Sequence, residues 1–508
     1  MQGMREGFDT GLQYLPETSY QCRNLRSAIS QPEIVSELLQ KEITKGYLLG
    51  PFDFPPFETY RINPIGVVEG KYSKTFRLIV DLSAPHNNTE HSSINSLIDK
   101  EEYSLSYVSV DDAIKIIKQC GQGAMMCKTD IIDAFKLIPI KPELWAYHGI
   151  CWNNKFYFFK RLCFGSRSSP KIFSMLSEAI HFIATNNYKI PNLLYLLDDF
   201  LAIVPKTLDS HRYMALLTHV FGSLSVPIHP DKTLGPSTTM SYLGITLDSV
   251  KMQAYLPLEK VQRIKMLLDA ISKCKSITKR KLLSVLGHLN FASRVIRPGR
   301  SFVSYLLKLA ASVRELHYHV KLSQECLSDM RMWYDLLNNW NGISFFYDDH
   351  VTECTDIELY TDASGSCGYG GYYQGRWFAE PWPEELPKLG ETDMSIAFME
   401  LVPIVTSVVL WQGMWSKKQI RFHCDNQATV DIINKGRSKS SLIMKLMRRL
   451  TWCAVKGNFI VHARYFPGKF NVVSDSLSRF QMQRFRRLAP DADKYPTKVP
   501  PLCKLYLG

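Results

Sequence analysis

The sequence has no long apolar run and no close pair of cysteines, and these absences exclude several classes of protein. The apolar stretch from Val402 to Trp411 is shorter than the roughly 18 residues that a membrane-spanning helix needs. The 12 cysteines are scattered, which argues against a disulfide framework or a zinc site. The sequence has no long block of charge of the kind that indicates disorder. Its amino terminus carries Arg5 and Glu6 rather than the charged and then apolar segments of a secretory signal. We therefore expect a folded intracellular protein, cytoplasmic or nuclear, with no membrane partner.

Acidic residues are in deficit. Lys and Arg number 61 against 48 Asp and Glu, so the formal net charge is +13. Such an excess favours a polyanionic partner, for example a nucleic acid, although a membrane surface would accept the same charge. With 508 residues, 45% of them apolar, the chain is long enough for about two to four domains with cores of their own.

Two adjacent acids interrupt an apolar segment near the middle of the chain. The segment 193–204 reads Leu-Leu-Tyr-Leu-Leu-Asp-Asp-Phe-Leu-Ala-Ile-Val, which predicts a β-hairpin with Asp198 and Asp199 at its turn. Neighbouring carboxylates repel by a few kcal/mol at a separation of about 4 Å, so such a pair usually needs a cation. An ordinary turn is the alternative, because Asp is common in turns.

A second acidic strand upstream favours the metal site. Apolar residues lead into Asp130, and Asp133 and Phe135 follow at short spacing. If this strand lies beside the hairpin, Asp130 joins Asp198 and Asp199 in an oxygen-rich site that suits Mg²⁺ or Mn²⁺. Two such ions held about 3.5 to 4 Å apart are the usual device for nucleotidyl transfer.

Four further acids recur in the last third of the chain. Asp362 lies on a predicted strand at 357–364 and Glu400 on a predicted helix at 394–411. Asp425 follows a predicted strand at 420–424, and Asp475 lies on a helix near 472–479. Each acid alone is better explained as a solvated charge, but the set on strand, helix, strand end and helix fits a two-metal nuclease.

Together these motifs resemble the fused reverse transcriptase and ribonuclease H (RNase H) of long-terminal-repeat-type retroelements, most closely the DIRS-like, tyrosine-recombinase group. Asp130 and the pair at 198–199 match motifs A and C of the polymerase palm, with Leu196 where the family usually has Tyr. Tyr-Thr-Asp-Ala-Ser at 360–364 and Cys-Asp-Asn at 424–426 match RNase H motifs. Tyr465 stands where relatives commonly have His before Pro-Gly-Lys.

The resemblance implies a nucleotide pocket in the first half of the chain. Arg77 and Lys74 match the fingers residues that hold the triphosphate, and Phe135 matches the ring that excludes a 2′-hydroxyl. Lys232 matches a general acid for the pyrophosphate leaving group. By pattern alone the arginine and the lysines would be solvated charges, and Phe135 would be a core aromatic. The implied dNTP-binding residues are Arg77, Lys74, Asp133, Phe135, Phe164, Gly165 and Lys232.

The resemblance also implies a mixed α+β and α/β multidomain fold, a right-hand polymerase of fingers, palm and thumb followed by an RNase H-like domain. Helical spacing of apolar residues predicts helices at 32–45, 110–120, 171–184, 259–274 and 278–295. The predicted domains are an N-terminal extension at 1–60, fingers and palm at 61–255, thumb and connection at 256–345, RNase H at 355–482 and a basic C-terminal tail at 483–508.

The implied function is RNA-directed and DNA-directed DNA synthesis with degradation of RNA in the RNA–DNA hybrid. Two Mg²⁺ or Mn²⁺ ions would serve each active site, and the partners would be an RNA template, a DNA primer, the hybrid and dNTPs. A separate recombinase or capsid protein of the same element is also implied, because no recombinase motif is visible. A domesticated nucleic-acid-binding protein and a palm-type primase or telomerase-like enzyme are the alternatives. The implied catalytic and metal-binding residues are Asp130, Asp198, Asp199, Asp362, Glu400, Asp425 and Asp475.

Overall fold

A computed structural model describes residues 2–70, 75–86, 88, 90–339, 344–345, 357–384, 395–416, 418–457 and 459–506. The chain divides into two compact units. The first comprises Met1–Leu243 with Ser249–Lys251, and the second comprises Gly244–Asp248 with Met252–Gly508. Lys74, predicted to bind nucleotide, lies outside the described residues.

The first unit mixes short strands with long helices. Its helices are α1 (Gln2–Glu6), α2 (Arg26–Ile29), α3 (Pro32–Thr44), α4 (Val110–Cys120), α5 (Ser169–Asn186) and α6 (Ser210–Ser223). Its strands are β1 (Tyr20–Gln21), β2 (Leu48–Phe52), β3 (Arg61–Ile62), β4 (Ile65–Glu69), β5 (Phe76–Val80), β6 (Met125–Asp130), β7 (Gly149–Trp152), β8 (Lys155–Phe159), β9 (Leu193–Leu196), β10 (Asp199–Val204), β11 (Leu234–Ser237) and β12 (Thr239–Tyr242).

The second unit begins with two short strands and a group of helices and continues into a larger sheet. Its helices are α7 (Leu258–Ser272), α8 (Lys279–Ala292), α9 (Ser304–Ala311), α10 (Gln324–Asn339), α11 (Ile396–Trp411), α12 (Gln427–Lys435), α13 (Ser441–Gly457), α14 (Val472–Ser478) and α15 (Met482–Leu488). Its strands are β13 (Ile245–Asp248), β14 (Gln253–Tyr255), β15 (Ser276–Thr278), β16 (His319–Lys321), β17 (Ser344–Phe345), β18 (Glu358–Ala363), β19 (Gly368–Tyr373), β20 (Arg376–Pro381), β21 (Gln419–Cys424) and β22 (Ile460–Tyr465).

The sheet that positions the first acids is four-stranded, in the order β11-β6-β10-β9. Its central strands are buried, and Cys127, Phe200 and Ala202 are inaccessible to solvent. Helices α5 and α6 pack against it. Two antiparallel neighbours hold β6 on either side, so the carboxyl end of β6 has little freedom to move. The first unit also contains a five-stranded sheet, β1-β3-β7-β8-β2, and the hairpin β4-β5.

Helix α4 shows how local sequence sets an element's start. Ser109 accepts a hydrogen bond from the backbone N–H of Asp112, whose side chain in turn accepts from the Ser109 backbone N–H. This capping box satisfies two N–H groups that the helix itself leaves unpaired, and Gly121 ends the helix at positive φ. The helices predicted at 32–45, 110–120, 171–184, 259–274 and 278–295 are all present, with ends shifted by a few residues.

The largest sheet of the second unit has five strands, in the order β20-β19-β18-β21-β22. Strand β18 runs antiparallel to β19 and parallel to β21, and β21 runs parallel to β22. Helix α11 packs across β18 and β19. Together with the following turn, as Ile396–Met414, it is long and apolar enough to cross a membrane by composition alone. Because 67% of it is buried within the fold, we describe it as a core helix.

A buried ion pair joins α10 to α13. The Arg448 guanidinium bonds to Asp329, and both side chains are almost inaccessible to solvent. Arg448 also donates to the Ser328 hydroxyl and stacks over the Tyr305 ring. Basic residues recur at 435–449, a pattern that by itself favours contact of Arg448 with nucleic-acid phosphates. The structure contradicts this, since a buried guanidinium already paired with Asp329 cannot reach a phosphate.

The last residues pack on the second unit, although the sequence suggested a basic tail. Phe485 is fully buried and lies 5.1 Å from the Trp377 ring, measured between ring centroids. Trp377 donates its indole N–H to the Asp493 carbonyl oxygen. Leu505 is buried in the main core of this unit. Residues 482–506 therefore belong to the folded structure. The predicted α+β and α/β multidomain fold class is confirmed.

Candidate active sites

The first acidic cluster forms where β6 meets the β9-β10 hairpin. Strand β10 pairs antiparallel with β6, and Asp199 is directly opposite Asp130. Asp198 occupies the hairpin turn, and its carbonyl oxygen accepts a 2.9 Å hydrogen bond from the Ile131 N–H. The strand predicted to lie beside the hairpin is thus paired with it. Directly opposed residues have Cβ atoms about 5 Å apart, which places the carboxylates within reach of one cation.

The hairpin turn is held in a demanding conformation. Leu197 has φ 54°, in the left-handed region that a branched apolar residue seldom adopts. Its carbonyl oxygen accepts a 2.8 Å hydrogen bond from the hydroxyl of Ser177 on α5. Because backbone strain of about 1–3 kcal/mol persists only where surrounding contacts impose it, Ser177 is a supporting residue of this site. The sequence analysis did not identify it, since nothing near Ser177 in the sequence points to the hairpin.

Two lysines offset the negative charge of the cluster. Lys232 donates to Asp130 at 2.8 Å, and Lys128 is 3.1 Å from Asp199. Lys232 was predicted to act near the leaving group, whereas Lys128 was not predicted. A signal for Lys128 existed, because it precedes Asp130 by two positions and alternate residues of a strand share a face.

Burial raises the pKa of the two acids of the hairpin, Asp198 and Asp199. Desolvation raises the pKa of Asp198, and the charge of Asp130 adds to it. Desolvation also raises the pKa of Asp199 to about 6, although Lys128 opposes the shift. The Asp199 Oδ1 atom is buried and has no hydrogen-bond partner among the described residues. A buried acceptor without a donor, beside two further carboxylates, fits a divalent cation that prefers oxygen ligands.

Three aromatic rings of the first unit pack together. Phe135, in the short helix Ala134–Leu137, has its ring centroid 4.9 Å from that of Phe164 and 5.5 Å from that of Phe173. Phe164 is 48% exposed, so the ring pair has a solvent-accessible side. The structure therefore brings together two of the predicted nucleotide-binding residues.

A buried amide organises the loop that follows Phe164. Asn95 donates to the Gly165 carbonyl oxygen at 2.8 Å and to the Ser83 hydroxyl at 2.9 Å, and it accepts from the Arg167 N–H at 2.8 Å. Gly165 has φ +103°, and a Cβ there would collide with the Val80 carbonyl oxygen. Only glycine suits this position. Asn95 was not predicted, because its partners are distant in sequence.

Two other predicted residues have different surroundings. The Asp133 carboxylate is engaged by Lys45 at 2.5 Å and by the Tyr47 hydroxyl at 3.1 Å. Burial and the nearby Asp133 charge raise the pKa of Tyr47 to about 12, so Tyr47 remains a donor. Arg77 is exposed on β5, opposite Val68 on β4. A nucleotide role for these residues remains a prediction.

The second acidic cluster forms at the carboxyl ends of two parallel strands. Asp362 lies on β18 and Asp425 directly follows β21, the strand paired with β18. Glu400 reaches the same place from α11, and Asp475 from α14. The ligand atoms of Glu400 and Asp425 lie within 4.8 Å of each other. The four predicted acids therefore come from strand, strand end and two helices, in the predicted order.

A hydrogen bond orients Asp362, and burial raises the pKa of Asp362, Glu400 and Asp425. Asp362 accepts a 2.5 Å hydrogen bond from the Ser478 hydroxyl, and desolvation raises its pKa to about 6. Desolvation also raises the pKa of Asp425, and it raises the pKa of Glu400 well above its usual range, with Asp362 adding to the latter. Burial and mutual repulsion disfavour the ionised form of these acids, and divalent cations bound between the carboxylates would stabilise that form. This donor set therefore also fits Mg²⁺.

The raised pKa values predict that stability of the metal-free protein depends on pH. A carboxyl whose folded pKa of about 6 exceeds its ordinary value of 3.8 favours the fold at low pH, and this contribution is lost as pH rises towards 6. Asp362→Asn has no ionisable carboxyl at this position, so the variant does not lose this stability as pH rises. We therefore expect its melting temperature, relative to wild type in chelator, to be about 3 °C higher at pH 7.5 than at pH 5. Parallel pH profiles for the two proteins would contradict this, and the exposed Glu384→Gln is the control.

Comparison with known proteins gives one family match. Residues 56–247 match the family model described as "Reverse transcriptase (RNA-dependent DNA polymerase)". This range contains the first acidic cluster, and the match identifies a reverse transcriptase domain in this part of the chain. A search of curated protein sequences finds no match.

Among solved structures, foamy viral protease-reverse transcriptases are similar. One, in complex with double-stranded DNA, is 13% identical with a TM-score of 0.49, and the comparison covers 89% of this chain and 72% of that one. Another, in complex with an RNA/DNA hybrid, is 14% identical with a TM-score of 0.49, covering 90% and 56%. Values this low describe a distant likeness.

Proposed function

We propose that the chain, which contains a reverse transcriptase domain at residues 56–247, is an RNA-directed and DNA-directed DNA polymerase with RNase H activity. The observation that carries the proposal is the pairing of Asp130 opposite Asp199, beside Asp198, inside that domain. The motifs of the sequence favour a retroelement of the DIRS-like group as its source. Template RNA, primer DNA and dNTPs would be its substrates, inside the cell.

In the polymerase site, Asp130 and Asp198 would hold most of the coordination to two Mg²⁺ or Mn²⁺ ions, with Asp199 in support. When bound, the ions would lower the pKa of the primer 3′-hydroxyl and stabilise charge on the phosphates. Lys232, whose ammonium is 2.8 Å from Asp130, would give a proton to the leaving pyrophosphate. Phe135 would lie beneath the sugar and exclude a 2′-hydroxyl, since its ring is fixed between Phe164 and Phe173.

In the second cluster, Asp362, Glu400, Asp425 and Asp475 would hold two further ions. When bound, the ions would activate a water molecule and stabilise the leaving 3′-oxygen. Ser478 fixes the Asp362 carboxylate through its hydroxyl, which orients that ligand before any ion arrives. Tyr465, 48% exposed at the end of β22, stands where relatives have His, so proton transfer there would not use an imidazole.

Metal removal tests the proposal on the full chain. We expect the purified protein to extend a DNA primer on an RNA template with dNTPs and Mg²⁺, and to shorten the RNA strand of the resulting hybrid. Excess EDTA should abolish both reactions, because it removes the ions that would activate the attacking oxygen and stabilise the leaving group in each cluster. Tight binding of primer and template without any incorporation would instead favour a domesticated nucleic-acid-binding protein.

A further inference from the structure

Asp475 is held differently from the other three acids of the second cluster. Arg479 donates from Nε to one carboxylate oxygen at 2.6 Å, and Arg484 donates to the other at 2.9 Å. Both guanidinium groups are about half exposed, at 51% and 43%. Two cations on one carboxylate leave an excess positive charge at the edge of an otherwise acidic site.

Arg484 is delivered by the segment that the sequence placed beyond the nuclease domain. It lies on α15, whose Phe485 is fully buried beside Trp377. On the same helix, Arg486 donates to the carbonyl oxygens of Ala492 and Lys494, which secures α15 to the chain that follows. The guanidinium of Arg484 is therefore placed by packing and by tertiary hydrogen bonds.

We propose that Arg479 and Arg484 form a phosphate-binding subsite of the second cluster, and that Asp475 occupies it when no metal is bound. The ligand would be a backbone phosphate of the nucleic-acid strand held in this site. The inference rests on the proposed nuclease function and gives a role to two basic residues beside the four acids.

Charge and geometry support an exchange of partners. Divalent cations bound among the four carboxylates would take Asp475 as a ligand and would repel the guanidinium groups. A guanidinium released in this way retains several planar N–H donors, a geometry that matches phosphate oxygens. Exposure of both arginines permits this movement, whereas the buried Arg448 could not make it.

The exchange predicts opposite effects on metal and on nucleic acid. Removing both arginines removes a competitor for Asp475, so Mg²⁺ should bind more tightly, by about threefold per arginine. The same change removes two phosphate contacts. The KM for hybrid cleavage should rise about tenfold, and the dependence of log(kcat/KM) on log[salt] should weaken by about one unit per arginine. A purely structural role would weaken both metal and hybrid binding.

The test compares Arg479→Gln/Arg484→Gln with Arg487→Gln, an exposed arginine on the same helix. Calorimetric titration with Mg²⁺ alone, in an Asp198→Asn background that disables the polymerase cluster, reports the metal affinity. Cleavage of a short RNA–DNA hybrid at several salt concentrations reports the phosphate contacts. Arg479→Lys/Arg484→Lys should keep much of the metal competition and lose part of the hybrid affinity, because lysine cannot bind a phosphate through two parallel N–H groups.

Three outcomes separate the inference from the function on which it rests. In the first, the double Gln variant cleaves the hybrid with the same KM, salt dependence and Mg²⁺ affinity as the wild-type chain. That result would overturn the phosphate subsite alone. Weaker Mg²⁺ binding in that variant would also overturn it, since the arginines would then be supports and not competitors. Failure of the wild-type chain to cleave the hybrid, with primer extension intact, would overturn the proposed nuclease function itself.

Discussion

Asp198→Asn is expected to lower nucleotide incorporation by about 10³-fold while hybrid cleavage continues at the wild-type rate. The change removes one negative charge from the turn that faces Asp130 and keeps the side chain's size. Loss of a metal ligand removes several kcal/mol of transition-state stabilisation, and about 4 kcal/mol corresponds to this factor. Incorporation is measured by primer extension on an RNA template, and cleavage on a preformed RNA–DNA hybrid.

Asp111→Asn is the matched control for this variant. Asp111 is exposed in the first turn of α4, so its loss should leave both reactions unchanged. Equal incorporation by Asp198→Asn and wild type would show that this cluster is not the polymerase site. Loss of cleavage together with incorporation would indicate that the substitution disturbs more than metal binding.

Glu400→Gln is expected to produce the converse result, with hybrid cleavage lowered by about 10³-fold and primer extension retained. Glu400 is 4% exposed on α11 and belongs to the cluster at the ends of β18 and β21. Gln keeps the shape of the side chain but removes the charge that attracts the ions. The variant should also bind fewer equivalents of Mg²⁺ in calorimetry, a readout independent of the reaction.

Glu384→Gln, at an exposed position of the same unit, is the control for the second variant. It should cleave the hybrid as the wild-type chain does. Unaltered cleavage by Glu400→Gln would remove the second cluster from the mechanism. Comparison of the Asp198→Asn and Glu400→Gln proteins then shows whether the two reactions are separable, as two distinct clusters require.

Local patterns carried much of the prediction. The apolar runs on either side of Asp198 and Asp199 predicted a hairpin, and the apolar approach to Asp130 predicted a strand. Both are present at those positions. The helix that bears Glu400 was also predicted, because its apolar residues extend over several turns. These features depend on residues close together in the chain, so a single sequence reveals them.

Contacts between distant residues outside the acidic motifs were not predicted. Asn95 and Ser177 support their loops through partners that lie far along the chain, and the basic pattern around Arg448 gives no sign that this residue is buried. The pattern that marks α13 as amphipathic does not show that Asp329 lies against it, so the burial of Arg448 had no local signal.

By itself the sequence determined the acidic motifs, their order and the strands and helices that carry them, because those properties follow from short-range spacing. Only the tertiary structure decided that Asp130 faces Asp199 and that Lys128 and Lys232 form ion pairs with these acids. It also decided that residues 482–506 pack within the second unit. The physical reason is that ion pairing and burial depend on distances through space, which close only when the chain has folded.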